Sequence, residues 1–189
     1  SKKTSLVVLE GQVHCSTITG LLDRNAGEGL LIEKGAFHQT AAVSATGAFV
    51  MEIESPVNKR DLVRLTDQYG REGKGYETED QHSSDTQNYN YISFQNLWIQ
   101  HNLKKRYGQC SMTFKKISDE KILDEILELN PEDIICLLTG KVLDSSERSV
   151  VEVGDTMTVH ALQQCGPLHV SQNTEMLTIK KIDRIVKYS

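Results

Sequence analysis

The stretch that decides the fold is Leu6-Val7-Val8-Leu9-Glu10-Gly11, joined by a β-branched run to Gly27-Glu28-Gly29-Leu30-Leu31-Ile32-Glu33-Lys34-Gly35-Ala36-Phe37-His38. A short apolar run that ends at a glycine is typical of a buried strand that ends in a turn. The apolar run Leu30-Leu31-Ile32 has the same form, because it lies between Gly29 and Gly35. His38 follows the second of these glycines. Repeated in this way, strands and glycines predict a small antiparallel β-barrel with His38 at its mouth.

The composition fits one large or two small globular domains. A chain of 189 residues that is 38% hydrophobic can fill an ordinary core. With 21 basic and 26 acidic residues the net charge is −5, which argues against a nucleic-acid partner because such proteins usually carry a basic face. No apolar run approaches the roughly 20 residues that cross a bilayer, and no secretory signal is recognisable. We therefore expect a soluble, cytoplasmic protein with no membrane partner.

The cysteines are widely spaced. Cys15, Cys110, Cys136 and Cys165 form no close pair of the kind that zinc ribbons use. We therefore expect buried free thiols.

Further elements follow from local patterns. The β-branched content from residue 12 to residue 22 predicts a second strand, the turn residues from 23 to 27 a loop, and the alternation from 49 to 54 another strand. Apolar residues at helical spacing after Ser118 predict one short helix, with Ser118 as N-cap and Asn130-Pro131 as its exit. Residues 78 to 90 contain no aliphatic side chain, which favours a polar loop or linker.

The opening pattern returns in the second half of the chain. Residues 135 to 142 align with residues 6 to 13, residues 154 to 159 with 27 to 32, and residues 177 to 180 with 51 to 54. Three segments in the same order with similar spacing indicate an internal repeat. The prediction is a mainly β protein with two antiparallel β-barrel lobes and one short helix between them.

This arrangement resembles the cupin superfamily, in which a glycine, a strand, a Pro-x-Gly turn and a histidine form the second motif. Here Gly27, Gly35 and His38 match that motif, and Glu33 stands at the position of the proline. The resemblance implies two jelly-roll lobes, with the first at residues 1–77, a linker at 78–90 and a second, degenerate lobe at 91–189. It also implies a tendency to form a homodimer.

The resemblance implies a metal ligand set that this sequence only partly contains. Metal-binding cupins use two histidines and a glutamate of the first motif with one histidine of the second, and here only His38 is present. Thr4 stands at the glutamate position, and the paired histidines would precede Ser1. We therefore assign no metal ligand and no cofactor, and we expect a divalent transition metal only if first-motif ligands lie upstream of Ser1. His14 lies on the next strand, but a single imidazole whose facing the sequence does not give does not make a metal site.

The polar stretch from residue 59 to residue 77 is the second candidate site. Arginine forks match phosphate or carboxylate groups, and tyrosine rings stack on sugars or bases. The stretch resembles a segment of cupins that act in sugar and nucleotide-sugar metabolism for surface polysaccharides. The candidate substrate-binding residues are Arg60, Arg64, Asp67, Arg71 and Tyr76, with Tyr69 as a candidate catalytic residue beside His38. The alternative is a solvated loop whose charges pair with each other.

Two functions fit these residues. The first is an isomerase or epimerase that acts on a sugar, sugar phosphate or nucleotide sugar, with His38 as acid and base and Tyr69 supplying the opposing proton. The second is a non-catalytic module that binds a carbohydrate or small anion, or serves assembly, and has lost the cupin metal site. A metal-dependent dioxygenase ranks last, because it requires the missing histidines.

Overall fold

The computed structural model describes residues 2–56 and 104–182, and both segments are built mainly from antiparallel strands. We call residues 2–56 the first lobe and residues 104–182 the second lobe. The strands of the first lobe are β1 (Lys3–Glu10), β2 (Gln12–Thr17), β3 (Gly20–Asn25), β4 (Gly29–Ile32), β5 (His38–Ala42) and β6 (Phe49–Ser55). The second lobe contains β7 (Lys104–Tyr107), β8 (Cys110–Ile117), helix α1 (Glu120–Leu127), β9 (Ile134–Thr139), β10 (Val142–Asp144), β11 (Ser149–Val151), β12 (Thr156–Thr158), helix α2 (Val159–Gln163), β13 (Leu168–Val170) and β14 (Thr174–Lys181). The predicted mainly β fold is confirmed.

The two lobes share one topology. In the first lobe the sheets have the strand orders β4-β1-β6 and β3-β2-β5. In the second lobe the corresponding orders are β12-β9-β14 and β11-β10-β13, and β8 and β7 extend the first of these sheets beyond β14. Each first-lobe strand therefore has a counterpart at the same place in the second lobe, as a duplicated unit requires.

The turns that follow the repeat are equivalent in detail. Gly27 and Gly154 have φ angles of 88° and 89°, a conformation that favours glycine because it has no β-carbon. The Gly27 amide donates to the Val8 carbonyl at 2.8 Å, and the Gly154 amide donates to the Leu137 carbonyl at 2.9 Å. The sequence repeat thus corresponds to one hydrogen-bonding pattern used twice.

The lobes pack against each other through β1, β9 and β14. Every residue of β1 from Thr4 to Leu9 is buried. Side chains alternate along the strand, so every second one points into the first lobe and those between them point toward the second lobe. The shared core between the lobes contains side chains from both segments: Val7, Leu9, Tyr107, Cys110, Met112, Phe114, Ile134, Cys136, Leu177 and Ile179. This double burial explains why the apolar runs of β1 and β9 are continuous rather than alternating.

The interior of the second lobe is filled by its two helices. Leu123 and Ile126 of α1 and Leu162 of α2 are at most 2% exposed and pack in one cluster with Ile135 and Met176 from the sheet. The predicted helix after Ser118 is confirmed, but its N-cap is Asp119, whose carboxylate accepts from the Ile122 amide at 3.1 Å. Helix α2 was not predicted, because only five residues form it.

The β2–β3 hairpin corrects one boundary of the sequence analysis. A turn at Ile18 and Thr19 divides the single strand expected over residues 12–22, and β3 then continues through Asn25 into the expected loop. Thr17 stabilises this turn through its hydroxyl group, which accepts from the Thr19 amide at 3.2 Å. The β-branched residues favour extended backbone on both sides of the turn and so conceal its position.

The four cysteines are free, as expected, and Cys165 alone among them is partly exposed. In the two described segments, no helix has the length and apolar character required to cross a membrane. The proposed domain boundaries stay a prediction, and the expected linker at residues 78–90 lies outside the described residues.

Candidate functional site

The space between the two sheets of the first lobe forms the candidate site, and we call it the first-lobe cup. Leu6, Cys15 and Ile32 form a small apolar cluster that joins the sheets at its base. Leu30 and Val50 pack against this cluster and are only partly buried. In the described segments, the apolar cluster inside the first lobe therefore has far fewer members than the cluster inside the second lobe.

Strand β6 places two carboxylates on the inner side of this cup. Along β6, Val50 contacts the apolar cluster of the first lobe, whereas Met51 and Ile53 pack against the core between the lobes. Because side chains alternate along a strand, Glu52 and Glu54 share the face of Val50. Opposite them on β1 stand Leu6, paired with Glu52, and Thr4, paired with Glu54.

The two carboxylates have different surroundings. Glu54 forms an ion pair with the ammonium group of Lys2, whose side chain is 10% exposed. Glu52 is open to solvent, yet the protein around it and the neighbouring charge of Glu54 raise the pKa of its carboxyl group. The charges of His38 and Lys2 oppose that increase only in part. Glu54 thus has a charged partner in Lys2, whereas the pKa of the Glu52 carboxyl group is raised.

His38 lies near the mouth of the cup. It begins β5 and pairs in register with Thr17, two residues from the pair formed by Thr40 and the buried Cys15. His38 therefore shares the inner face of the β3-β2-β5 sheet with Cys15. Its ring is exposed, and its Nδ1 atom lies 3.2 Å from the Ala36 carbonyl. His38 is therefore an exposed residue on this face, and its catalytic role stays a prediction.

Cys15 adds a thiol at the base of the cup. Its side chain is fully buried, and burial raises the pKa of the thiol, while Thr40 and Arg24 lower it to a smaller extent. The Thr40 hydroxyl lies 4.0 Å from the sulfur atom. Arg24 donates from its Nε to the Gly29 carbonyl at 3.0 Å. Cys15 is therefore a neutral thiol in the wall, and Arg24 ties β3 to β4.

His14 does not belong to the cup. It neighbours the inward-facing Val13 and Cys15 on β2, so its side chain lies on the outer face of the sheet. There it pairs in register with Asp23 and its Nδ1 atom contacts that carboxylate. His14 therefore points away from Cys15 and the apolar cluster of the first lobe, because side chains alternate along a strand.

The remaining predicted site residues lie outside the described residues. They are Tyr69, with the candidate substrate-binding residues Arg60, Arg64, Asp67, Arg71 and Tyr76. Within residues 2–56 and 104–182, no three His, Cys, Asp or Glu side chains are grouped closely enough to hold a metal ion.

The second lobe does not repeat the side chains that line the first-lobe cup. In the matched registers of the sheets, Thr178 corresponds to Glu52, Gly166 to His38 and Asp144 to Cys15. Asp144 turns onto its own hairpin, where its carboxylate accepts from the Ser146 amide and from Arg148. The expected degeneracy of the second lobe thus appears in its lining.

The sequence analysis did not identify Glu52. The alternation of residues 49 to 54 predicts a strand, but either of its faces could turn toward the barrel. Only the pairing of β6 with β1 shows which side chains enter the cup. The available signal was the alternation of Glu52 and Glu54 with the apolar Met51 and Ile53.

No protein-family model matches the chain, and no curated protein matches it significantly. Among solved structures, one from Pseudomonas aeruginosa, described as a glyoxylate-induced protein, is similar with 16% identity and a TM-score of 0.30, covering 100% of this chain and 68% of that chain. The protein YhaK from Escherichia coli is similar with 11% identity and a TM-score of 0.24, covering 96% of this chain and 75% of that chain. These values establish no family, so the cupin assignment stays a prediction.

Proposed function

We propose that the first-lobe cup binds a sugar, sugar phosphate or nucleotide sugar in carbohydrate metabolism, such as surface-polysaccharide synthesis. One observation carries the proposal: the two lobes share a topology, yet the second is filled by Leu123, Ile126 and Leu162, whereas polar side chains line the first. A carboxylate, an imidazole and a hydroxyl group in one concave surface are hydrogen-bonding partners for a polyhydroxy ligand. The cupin resemblance supports the same ligand class.

The enzymatic form of this proposal is an isomerase or epimerase. An imidazole can remove and return a proton next to a carbonyl group, and His38 would have this role. Tyr69 would supply the opposing proton. Arg60, Arg64 and Arg71 would bind an anionic group, with Asp67 and Tyr76 contacting the sugar.

The alternative is a non-catalytic carbohydrate-binding or assembly module, expected to form a homodimer. It is favoured by Thr4, since this buried residue stands where metal-binding cupins place their glutamate. Under this alternative the cup retains a ligand but performs no reaction.

Thermal denaturation with a panel of sugars, sugar phosphates and nucleotide sugars tests the shared claim. A ligand present at 100 times its Kd adds about 2.7 kcal/mol to the free energy of unfolding, which raises the melting temperature measurably. We expect at least one member of the panel to do so. If none does, the proposed binding function is wrong.

The variant His38→Ala separates the two forms of the proposal. With a ligand identified, we expect turnover to fall by about 100-fold or more while most of the binding remains, because general acid–base catalysis typically contributes that much. Exchange of a substrate carbon-bound proton with deuterated solvent, followed by NMR, is the measurement. Absence of exchange in the unmodified protein would favour the non-catalytic module.

A further inference from the structure

The two inward carboxylates of β6 are not equivalent. Glu54 forms an ion pair with Lys2, which is largely buried. Breaking this pair to bind a ligand would leave an ammonium group with little solvent, which is costly. Glu54 is therefore suited to a fixed structural position.

Glu52 is placed differently. It is exposed to the open part of the cup. Its partner in register on β1 is the aliphatic Leu6, so the facing position on β1 provides no charged partner. The titratable groups that influence it are Glu54 on its own strand, through its charge and a side-chain hydrogen bond, His38 on β5, and Lys2, which precedes β1. Its carboxylate is thus accessible to a bound molecule from the same space that His38 faces.

We propose that Glu52 determines the specificity of the first-lobe cup by accepting hydrogen bonds from hydroxyl groups of an uncharged sugar. This inference rests on the proposed function and refines it, because it names the part of the ligand that meets β6. An ionised carboxylate has two oxygen atoms and accepts only, so it matches two neighbouring hydroxyl donors. A phosphate group at the same place would meet Glu52 and Glu54 as like charges, and Lys2 offsets only one of them.

The conservative variant Glu52→Gln tests the assignment, with Glu132→Gln as the control. Glu132 is an exposed carboxylate in the second lobe, so its variant changes the net charge equally without touching the cup. The probes are D-glucose, D-galactose and D-mannose and their 6-phosphates, each titrated at about pH 7 by isothermal calorimetry. We expect the unmodified protein to bind a free sugar more tightly than its 6-phosphate. In Glu52→Gln, the affinity for that free sugar should fall about tenfold, while the affinity for the 6-phosphate stays equal or increases.

A second variant guards against misfolding. Glu52→Asp keeps the negative charge with a shorter side chain, so it should retain the preference for the free sugar with reduced affinity. A lower pH gives an independent readout: affinity for the free sugar should fall as Glu52 is protonated, and this pH dependence should be lost in Glu52→Gln. Circular dichroism of each variant checks its fold.

The outcomes separate the inference from the proposed function. Preference for a 6-phosphate, or equal losses for both probe classes in Glu52→Gln, would overturn the role of Glu52 and leave the binding function intact. Failure of every sugar, sugar phosphate and nucleotide sugar to bind the unmodified protein would overturn both.

Discussion

At the scale of single residues, an ion pair between Lys3 and Asp155 links the two lobes. The Lys3 ammonium donates to Asp155 Oδ1 at 2.5 Å, and their side chains are 13% and 11% exposed. Burial disfavours the charged lysine, but the hydrogen bond and charge of Asp155, together with Glu33 and Glu152, outweigh it and raise the pKa of Lys3. The same aspartate accepts from the Glu152 amide at 2.8 Å, so it also holds the turn before β12.

The substitution Asp155→Asn should destabilise the protein by about 2 kcal/mol, less than the about 3–5 kcal/mol lost when a fully buried pair is broken. The asparagine retains a hydrogen-bonding side chain but leaves the Lys3 charge without its partner. Urea denaturation at about pH 8 measures the loss, and Glu132→Gln is the matched control. A change below about 0.5 kcal/mol would show that solvent already screens this pair.

The pH dependence of this contact follows from the direction of the pKa shift. A lysine whose pKa is raised on folding contributes stability that is fully present below its unfolded value of about 10.5 and is lost as pH rises through the folded value. Between about pH 10 and pH 12, the unmodified protein should therefore lose more stability than Asp155→Asn. Parallel curves for the two proteins would contradict this assignment.

At the scale of elements, helix α1 shows how a cap sets the start of a helix. Asp119 has extended backbone dihedrals, and its carboxylate accepts from the Ile122 amide, whereas the Ser118 hydroxyl only donates to Asp119 at 3.2 Å. A capping carboxylate accepts a hydrogen bond from an amide that has no partner within the helix. Its negative charge is also stabilised by the positive end of the helix dipole. The helix then buries Leu123 and Ile126 in the second lobe.

The substitutions Asp119→Ala and Ser118→Ala distinguish the observed cap from the one that the sequence suggested. Loss of the cap should cost about 1 kcal/mol in Asp119→Ala, and Ser118→Ala should change stability by less than about 0.5 kcal/mol. Chemical denaturation of both variants is the measurement. A larger loss of stability in Ser118→Ala than in Asp119→Ala would show that Ser118 is the N-cap.

At the scale of the whole molecule, the glycine turns are contacts between the lobes. A β-carbon built on Gly154 would lie 2.6 Å from the Ser55 β-carbon, and one built on Gly27 would lie 2.9 Å from the Lys181 β-carbon. Ser55 and Lys181 are themselves equivalent positions at the ends of β6 and β14. Each lobe therefore places its glycine turn against the end of the last strand of the other lobe, in an approximately two-fold arrangement.

The substitution Gly154→Ala should destabilise the protein by about 3 kcal/mol, because it combines left-handed backbone strain with crowding against Ser55. Gly35→Ala is the matched control. Its φ angle of 79° imposes similar strain, but no atom lies within 4 Å of the added carbon. The difference in unfolding free energy between the two variants isolates the lobe contact, and equal losses would show that the turn readily moves away.

The sequence by itself determined the class of fold and its duplication. Apolar runs closed by Gly11 and Gly140, and the turns at Gly27 and Gly154, are local properties, because glycine has no β-carbon and adopts a positive φ angle most readily. The helix that begins near residue 119 was also predictable, since spacing and capping are local.

Only the tertiary structure decided which faces of the strands became the site. Glu52, Met51 and His14 all stand in strands whose alternation allows either face to turn inward, and the partner strand and the opposing lobe settle the choice. For the same reason the continuous apolar run of β1 could not reveal that half of it faces another lobe. The candidate cup is a product of packing between distant segments, and no single stretch of the chain contains that information.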